Sequence, residues 1–355
     1  MVSQKVEIHT AGRTAGTKDM MRTAVVILNW NGRSHLERFL GSVTAHTAAP
    51  TRIIVADNGS TDSSMEFLAE CSPQVERLQL DRNYGYAGGY NRALKLIDAD
   101  CYVLLNSDVE VTEGWLKPLV DMLERHPDVA AVAPKILSYN TRETFEYAGA
   151  AGGFIDFLGY PFCRGRILSH VERDGGQYDT PREVFWASGA AFCCRAETFH
   201  RLGGFDDDFF AHMEEIDLCW RMQLDGCRVM VEPRSRVYHL GGGTMPNESP
   251  NKLYLNYRNN LAMIFKCAPS AQRFTAAVIR PLTDMLSAMI YLLKGDLNLA
   301  GATLRAYRDF LAWHHALARK RREIRSARRA ESKQIYRGSI VLRYMAGRRT
   351  FGNIM

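Results

Sequence analysis

The chain has 355 residues, 46% hydrophobic and 24% charged, enough to bury a large core and to form one large domain with an appendage rather than several equal modules. Its formal net charge of +6 is modest for this length and gives no reason to expect a nucleic-acid partner. The eight cysteines are scattered, with no CxxC pair and no metal-ligand spacing, which excludes a disulfide-stapled scaffold and points to a reducing cytoplasm.

Residues 1–21 lack the apolar run of a secretory signal and any periodic pattern, so a disordered leader is expected there. From Thr23 short apolar runs alternate with helical patterns: TAVVILNW, RIIVADNG, VERLQL, CYVLLNSD and VAAVAP, separated by helical segments such as SHLERFLGSVTAH and GWLKPLVDMLERH. Val/Ile/Leu-rich strands alternating with helices predict an α/β domain, a mostly parallel sheet covered on both faces. In such sheets ligands settle beyond the carboxyl ends of the strands. Those ends are polar here: Asn29 and Asn31 after the first strand, Asp57, Gly59 and Ser60 after the second, Asn83 after the third, and Asn106, Ser107 and Asp108 after the fourth. Any one of these loops reads equally as turn and cap chemistry; four together point to a site.

Asp57 is placed to accept hydrogen bonds from a base or ribose edge, with Ser60 and Thr61 at the following helix start. In LLNSDVEV, Asp108 and Glu110 fall on one side of an extended segment, and a carboxylate at a strand end suits Mg²⁺ or Mn²⁺ together with phosphate oxygens. Residues 139–184 are Gly-rich and aromatic, as expected of a mobile loop or a β-rich insert over the cleft. FFAHMEEIDLCWRMQLDG reads as a helix ending near Gly226. Glu215 shares a stripe with Leu218, Cys219 and Met222, while Glu214, Asp217 and Arg221 line the adjacent face. A carboxylate that begins an apolar stripe must be paired, protonated or at work in a cleft. A structural network of Glu214 and Asp217 with Arg221 would leave Glu215 as the free base.

Beyond Pro250 the pattern changes to long helices, a separate helical, basic region. The best window for a membrane-spanning helix, from Thr275, carries Arg280, Pro281 and Asp284, so none is expected. Its apolar surface and the basic run RKRREIRSARR at 319–329 suggest peripheral contact with an anionic membrane, or packing on protein, including a homo-oligomer.

The ordered segments VVILNWNG, VADNGSTD, NYGYAGGYNRAL, LLNSDVEV, GGFDDDFFAHMEEIDLCWR and VYHLGGGT resemble family 2 of the inverting glycosyltransferases, with the GT-A fold, and within it bacterial rhamnosyltransferases. The resemblance covers about residues 23–257 and implies a catalytic domain at 22–255 followed by the helical region 256–355. It implies that Asp57 contacts the nucleotide base and that Asn106-Ser107-Asp108 stands where the family's metal-binding DxD motif lies. It further implies that Glu215 is the general base, that His239 assists the metal or diphosphate, and that Gly88 and Asn91 lie on the donor side. FWASGAAFCCRAETF resembles the acceptor-side wall, giving Trp186, Ser188, Gly189, Asp217 and Arg221 as acceptor-side residues; Trp186 reads equally as a sugar platform or a core tryptophan. Two departures stand out: Asn106 replaces the first aspartate of DxD, and Glu215 replaces the usual Asp, which leaves the choice between Glu214 and Glu215 open. The implied donor is a dTDP- or UDP-linked hexose, with dTDP-rhamnose foremost, and the implied acceptor is a glycan or lipid-linked intermediate. A nucleotidyltransferase would share the sheet but would carry a Gly-rich, Arg/Lys-bearing loop where this chain has NWNGRS. An inactive binding module would keep the fold without the acidic groups.

Overall fold

The computed structural model describes residues 20–241 and 249–355, and the expected leader lies almost wholly outside them. The alternating first part of the sequence folds as β1 (Thr23–Asn29), α1 (Arg33–His46), β2 (Arg52–Asp57), α2 (Ser64–Cys71), β3 (Glu76–Gln79), α3 (Gly85–Leu94) and β4 (Cys101–Leu105). These four strands are parallel, with β1 between β2 and β4 and β3 beyond β2. TAVVILN and CYVLL are apolar at nearly every position because both sheet faces are covered. Ala24, Val26, Ala56 and Leu104 enter one core, and Val25, Ile27, Val55 and Val103 the other.

The chain continues through β5 (Val109–Val111), α4 (Leu116–Arg125), β6 (Val129–Ser138), β7 (Gly153–Asp156), β8 (Pro161–Cys163), β9 (Arg166–Ile167), β10 (His170–Val171), β11 (Arg182–Glu183), β12 (Ala191–Arg195), α5 (Ala196–Arg201), α6 (Glu214–Leu224) and β13 (Arg228–His239). Strand β12 runs antiparallel between β4 and β6, and β13 lies parallel to β6, giving the order β11-β13-β6-β12-β4-β1-β2-β3 with β5 against β13. Residues 139–184 are the β-rich insert that was one of the two expectations.

The helices expected after Pro250 are α7 (Pro250–Cys267), α8 (Ser270–Leu293), α9 (Leu297–Ala312) and α10 (His314–Ala327), followed by β14 (Ile335–Tyr336) and α11 (Ile340–Met345). They are knitted into the rest of the chain. Strand β14 pairs in parallel with β7 and extends the insert to the sheet β10-β9-β8-β7-β14. The Trp220 indole of α6 donates to Ser332 at 2.8 Å.

The charges expected to interrupt the apolar surface of α8 are turned inward. Arg280 and Asp284 form a buried pair, and Asp284 accepts hydrogen bonds from Tyr160 at 2.9 Å and Tyr307 at 2.7 Å. The basic run is thinner than its sequence suggests. Lys320 bridges Asp206 and Asp208, and Arg321 donates to the last carbonyls of α7, Phe265 at 2.8 Å and Ala268 at 2.9 Å.

Candidate active site

The first two strand ends are tied together by side chains. Asn29 is buried and donates to Asp57 at 3.2 Å and to Ser60 at 3.1 Å, and the second Asp57 oxygen accepts the Ser60 amide at 3.1 Å. Asn31, in a left-handed conformation, accepts the Thr61 amide at 2.7 Å, and its own amide donates to Ser60 at 2.9 Å. Gly59 must be glycine: its φ is 73°, and a Cβ there would stand 2.5 Å from the Arg82 backbone. Asn83 accepts from Asn58 at 3.1 Å and from the Gly85 amide at 2.8 Å, which fixes the start of α3, the helix that carries Gly88. Asn91 is engaged elsewhere. Its amide donates to the Phe205 carbonyl at 2.8 Å and accepts the Phe205 amide at 2.9 Å, so it braces the 205–207 loop and has no group left to offer a donor sugar.

After β4, Asn106 and Ser107 are half-buried and Asp108 is buried. Asp108 lies 3.1 Å from His239 Nε2, and Glu146 lies 3.4 Å from His239 Nδ1. Burial works against charge on His239, but Glu146 and Asp108 outweigh it and raise its pKa to about 10. Burial likewise opposes charge on Asp108, yet the His239 hydrogen bond and charge hold its pKa below the ordinary value. Glu146 escaped the sequence reading; its only signal was a lone acid between Phe145 and Tyr147. Glu110 is not part of this group, because Arg142 takes both of its oxygens, at 2.8 and 2.9 Å. Among the described residues no three His, Cys, Asp or Glu side chains converge as a ready metal cage. The Asp108 carboxylate fits a hard or borderline divalent cation that completes its shell with phosphate oxygens and water, and such a cation would displace the proton of His239 Nε2, the ring nitrogen that faces Asp108.

The acidic pair opens α6. Both carboxyl groups carry an oxygen that is buried without a partner. Burial, then the Glu215 charge, pushes the Glu214 pKa well above the carboxylate range; burial raises Glu215 to about 7 against the pull of nearby backbone amides, that of Gly189 included. A Cβ on Gly189 would lie 3.8 Å from the Glu215 carboxyl carbon and 3.1 Å from the hydroxyl of Tyr86, which donates to the Gly189 carbonyl at 2.7 Å. The next residue, Ala190, accepts the Asn106 amide at 3.0 Å through its carbonyl, so residues 189–190 link the acidic pair to the Asn106-Ser107-Asp108 turn.

The loop leading into α6 is strained: Phe210, His212 and Met213 have φ of 63°, 70° and 72°. Helix α7 holds it. The Asn259 amide donates to the carbonyls of Phe209, Ala211 and His212 at 3.0, 2.9 and 2.8 Å, and Arg258 reaches Asp208 at 3.1 Å and Phe209 at 3.2 Å. Neither Asn259 nor Tyr86 was singled out from the sequence.

The expected acceptor wall is mostly structural. Trp186 is 3% exposed and donates to the Phe154 carbonyl at 3.0 Å; a Cβ on Gly153 would strike its indole at 2.0 Å, so no ring face is open to a sugar. Ser188 is buried and bonded to the Ala148 carbonyl. The expected ionic network exists without Glu214: Asp217 pairs with Arg221 at 2.9 Å and with Lys266 of α7 at 2.9 Å, while Arg221 ties down the Leu202 and Gly204 carbonyls. Of the acceptor-side candidates, Gly189 borders Glu215 through its backbone amide, and the Asp217 charge bears on Glu214.

Residues 24–179 match the family described as Glycosyl transferase family 2. The N-acetylglucosaminyl-diphospho-decaprenol L-rhamnosyltransferase of Mycobacterium tuberculosis is 30% identical over 233 residues, 61% of this chain and 75% of that protein. The O-antigen biosynthesis protein RfbC of Myxococcus xanthus is 30% identical over 219 residues, 60% of this chain and 17% of that protein. Among solved structures, GalNAc-T7 with UDP, GalNAc and Mn²⁺ shares the fold with a TM-score of 0.55 at 19% identity, covering 70% of this chain and 48% of that one. With its mixed sheet, its polar strand ends and a relative matched over three quarters of its length, the chain belongs to glycosyl transferase family 2 and is a glycosyltransferase of the GT-A fold.

Proposed function

We propose that the chain is a metal-dependent, inverting hexosyltransferase that moves a sugar from a nucleotide-diphosphate donor to a hydroxyl of a glycan or lipid-linked acceptor in cell-surface polysaccharide synthesis. The observation that carries this reading is Glu215 at the head of α6, with a buried, partnerless oxygen and a pKa raised to about 7, linked through residues 189–190 to the Asn106-Ser107-Asp108 turn. A base with a pKa near the working pH combines a deprotonated fraction with useful proton affinity.

In this reading the catalytic unit is 22–255, with the helical region 256–355 attached, at the cytoplasmic face of a membrane. The Asn29, Asp57 and Ser60 cluster receives the base and ribose of the donor. Asp108 and His239 hold Mn²⁺ or Mg²⁺, which when bound neutralises charge on the diphosphate. Glu215 takes the proton of the acceptor hydroxyl while that oxygen forms its bond to the anomeric carbon from the side opposite the diphosphate. The bond to the diphosphate oxygen breaks in the same displacement, so the anomeric configuration inverts and no covalent enzyme intermediate forms. Glu214, held neutral by burial and by Glu215, supports the pair without competing for the proton. The M. tuberculosis relative bears L-rhamnosyl transfer to a lipid diphosphate in its name, which makes dTDP-rhamnose the first donor and a lipid-linked glycan the first acceptor to test.

The test is a binding and turnover screen of the purified chain against dTDP-, UDP- and GDP-linked hexoses with and without Mn²⁺. Metal-enhanced binding of one nucleotide class, with donor hydrolysis or transfer, is the expected result. Binding without any turnover would reduce the chain to a nucleotide-sugar-binding module.

A further inference from the structure

Helix α8 is built the wrong way round for a helix on the outside of a water-soluble domain. Its buried stripe is Gln272, Ala276, Arg280, Asp284 and Ala288, while Phe274, Val278, Leu282, Leu286, Met289 and Leu293 repeat at three- and four-residue spacing along the opposite side and are exposed. Phe274, Leu282 and Leu293 are 72%, 70% and 83% exposed. On α9, which packs beside α8, Leu297, Leu304 and Leu311 recur every seven residues and are exposed as well. An apolar face of this extent on two adjoining helices marks an interaction surface.

The charges around the face select its partner. The exposed charged residues of α8, α9 and the turn between them are Lys294, Arg305 and Arg308, all basic, and Arg308 falls between Leu304 and Leu311 on the same side of α9. The acids of this region are occupied: Asp284 is buried with Arg280, Asp296 caps the start of α9, and Asp309 accepts from Tyr254 and pairs with Arg308, so among the described residues Lys294 and Arg305 are the exposed cations of this face outside an ion pair. Two copies of the face laid together would juxtapose like charges, whereas an anionic headgroup layer meets them with the opposite sign. Helix α8 is long and apolar enough to cross a bilayer by length and composition. Crossing would strip Arg280 and Asp284 of Tyr160, Tyr307 and the Leu158 carbonyl, so the helix lies on the surface with its polar side kept on the protein.

We infer that the apolar face of α8 and α9, flanked by Lys294 and Arg305, seats the enzyme on an anionic lipid bilayer. This deepens the acceptor reading, since a lipid-linked acceptor is met at that surface, but its support is independent of which sugar is transferred.

The full chain is sedimented with phosphatidylglycerol/phosphatidylcholine vesicles and with phosphatidylcholine vesicles, at low and high salt. Binding at least tenfold tighter to the anionic vesicles is expected, weakened by salt. The triple variant Phe274→Ser, Leu282→Ser, Leu286→Ser should lose at least tenfold in vesicle affinity, with its melting midpoint and donor hydrolysis rate unchanged. Lys294→Gln with Arg305→Gln should remove most of the salt dependence. Sedimentation velocity is run on the same proteins. If the parent ignores anionic vesicles, if the triple variant binds them as the parent does, or if the variant instead converts a dimer to a monomer, the inference is overturned. Turnover of a nucleotide sugar with a short soluble acceptor is measured in parallel, so a failure of the membrane seat is separable from a failure of the glycosyl-transfer reading.

Discussion

At Glu215 the proposed chemistry and a cost to folding fall on a single carboxyl group. Glu215→Gln keeps the shape and removes the proton acceptor, so kcat should fall by about 10²–10⁴ while nucleotide diphosphate still binds. Because burial sets the Glu215 pKa at about 7, kcat/KM of the parent should decline tenfold per pH unit below that value. Glu214→Gln should keep this acid limb, since burial and not Glu214 is the main cause of the Glu215 shift. The linkage has a definite sign: a carboxyl whose folded pKa is raised lends stability below its unfolded pKa and loses it as pH rises through the folded one. Glu215→Gln should therefore melt higher than the parent at pH 8 while being far less active, and calorimetry beside a rate assay checks both. Asp108→Asn leaves Asn106 and the new amide as neutral oxygens, so nucleotide diphosphate affinity should become insensitive to Mn²⁺ in a titration with and without metal. Asp57, Asp108 and the acidic pair were legible as candidates because they sit at strand ends or at a helix start, where polar residues break an apolar pattern. Glu146 and Tyr86 were not, because they reach the site from the insert and from α3 through folding alone. Asn91, Trp186 and Arg221 misled for the opposite reason: a buried amide, indole or guanidinium needs partners whether or not a ligand is near.

The loop before α6 shows what one helix does for another. Three residues with positive φ precede the acidic pair, and the carbonyls of Phe209, Ala211 and His212 in that loop are gathered by Asn259 of α7. Asn259→Ala removes the two N–H donors that hold three carbonyls of that loop, at roughly 1 kcal/mol per donor. We expect kcat to fall at least tenfold with KM for the donor little changed, because Asn259 positions the acidic pair and lies outside the Asn29, Asp57 and Ser60 cluster. A shifted acid limb in the surviving activity would distinguish mispositioning from simple loss of folded protein. Helix α8 illustrates a different limit of sequence reading. Its period and length were plain, but two stripes share the same period, and an apolar stripe is the one ordinarily assigned inward. What reverses the choice is the partners of Arg280 and Asp284, contributed by Tyr160 and Tyr307 from distant parts of the chain.

On the scale of the whole chain, the helical region and the tail belong to the architecture of the catalytic part. Phe351, 3% exposed, stacks among Phe154, Phe162 and Tyr178 of the insert, with ring centroids 5.1, 6.2 and 5.9 Å away. Phe351→Ala should cost roughly 3–5 kcal/mol, read as an earlier denaturation midpoint. The α/β order of the first half was visible because neighbours in sequence become neighbours in space; the return of the tail was not, because Ile335 and Tyr336 carry no mark of the strand they will join. That pairing also sets an order of events during synthesis. The edge of β7 is complete only when β14 arrives, roughly 180 residues later, which at about 5–20 residues per second is some ten to thirty-five seconds of ribosome travel. Throughout that interval a nascent chain whose first half has already emerged carries an open strand edge, exposed to pairing with other chains for a time set by translation speed.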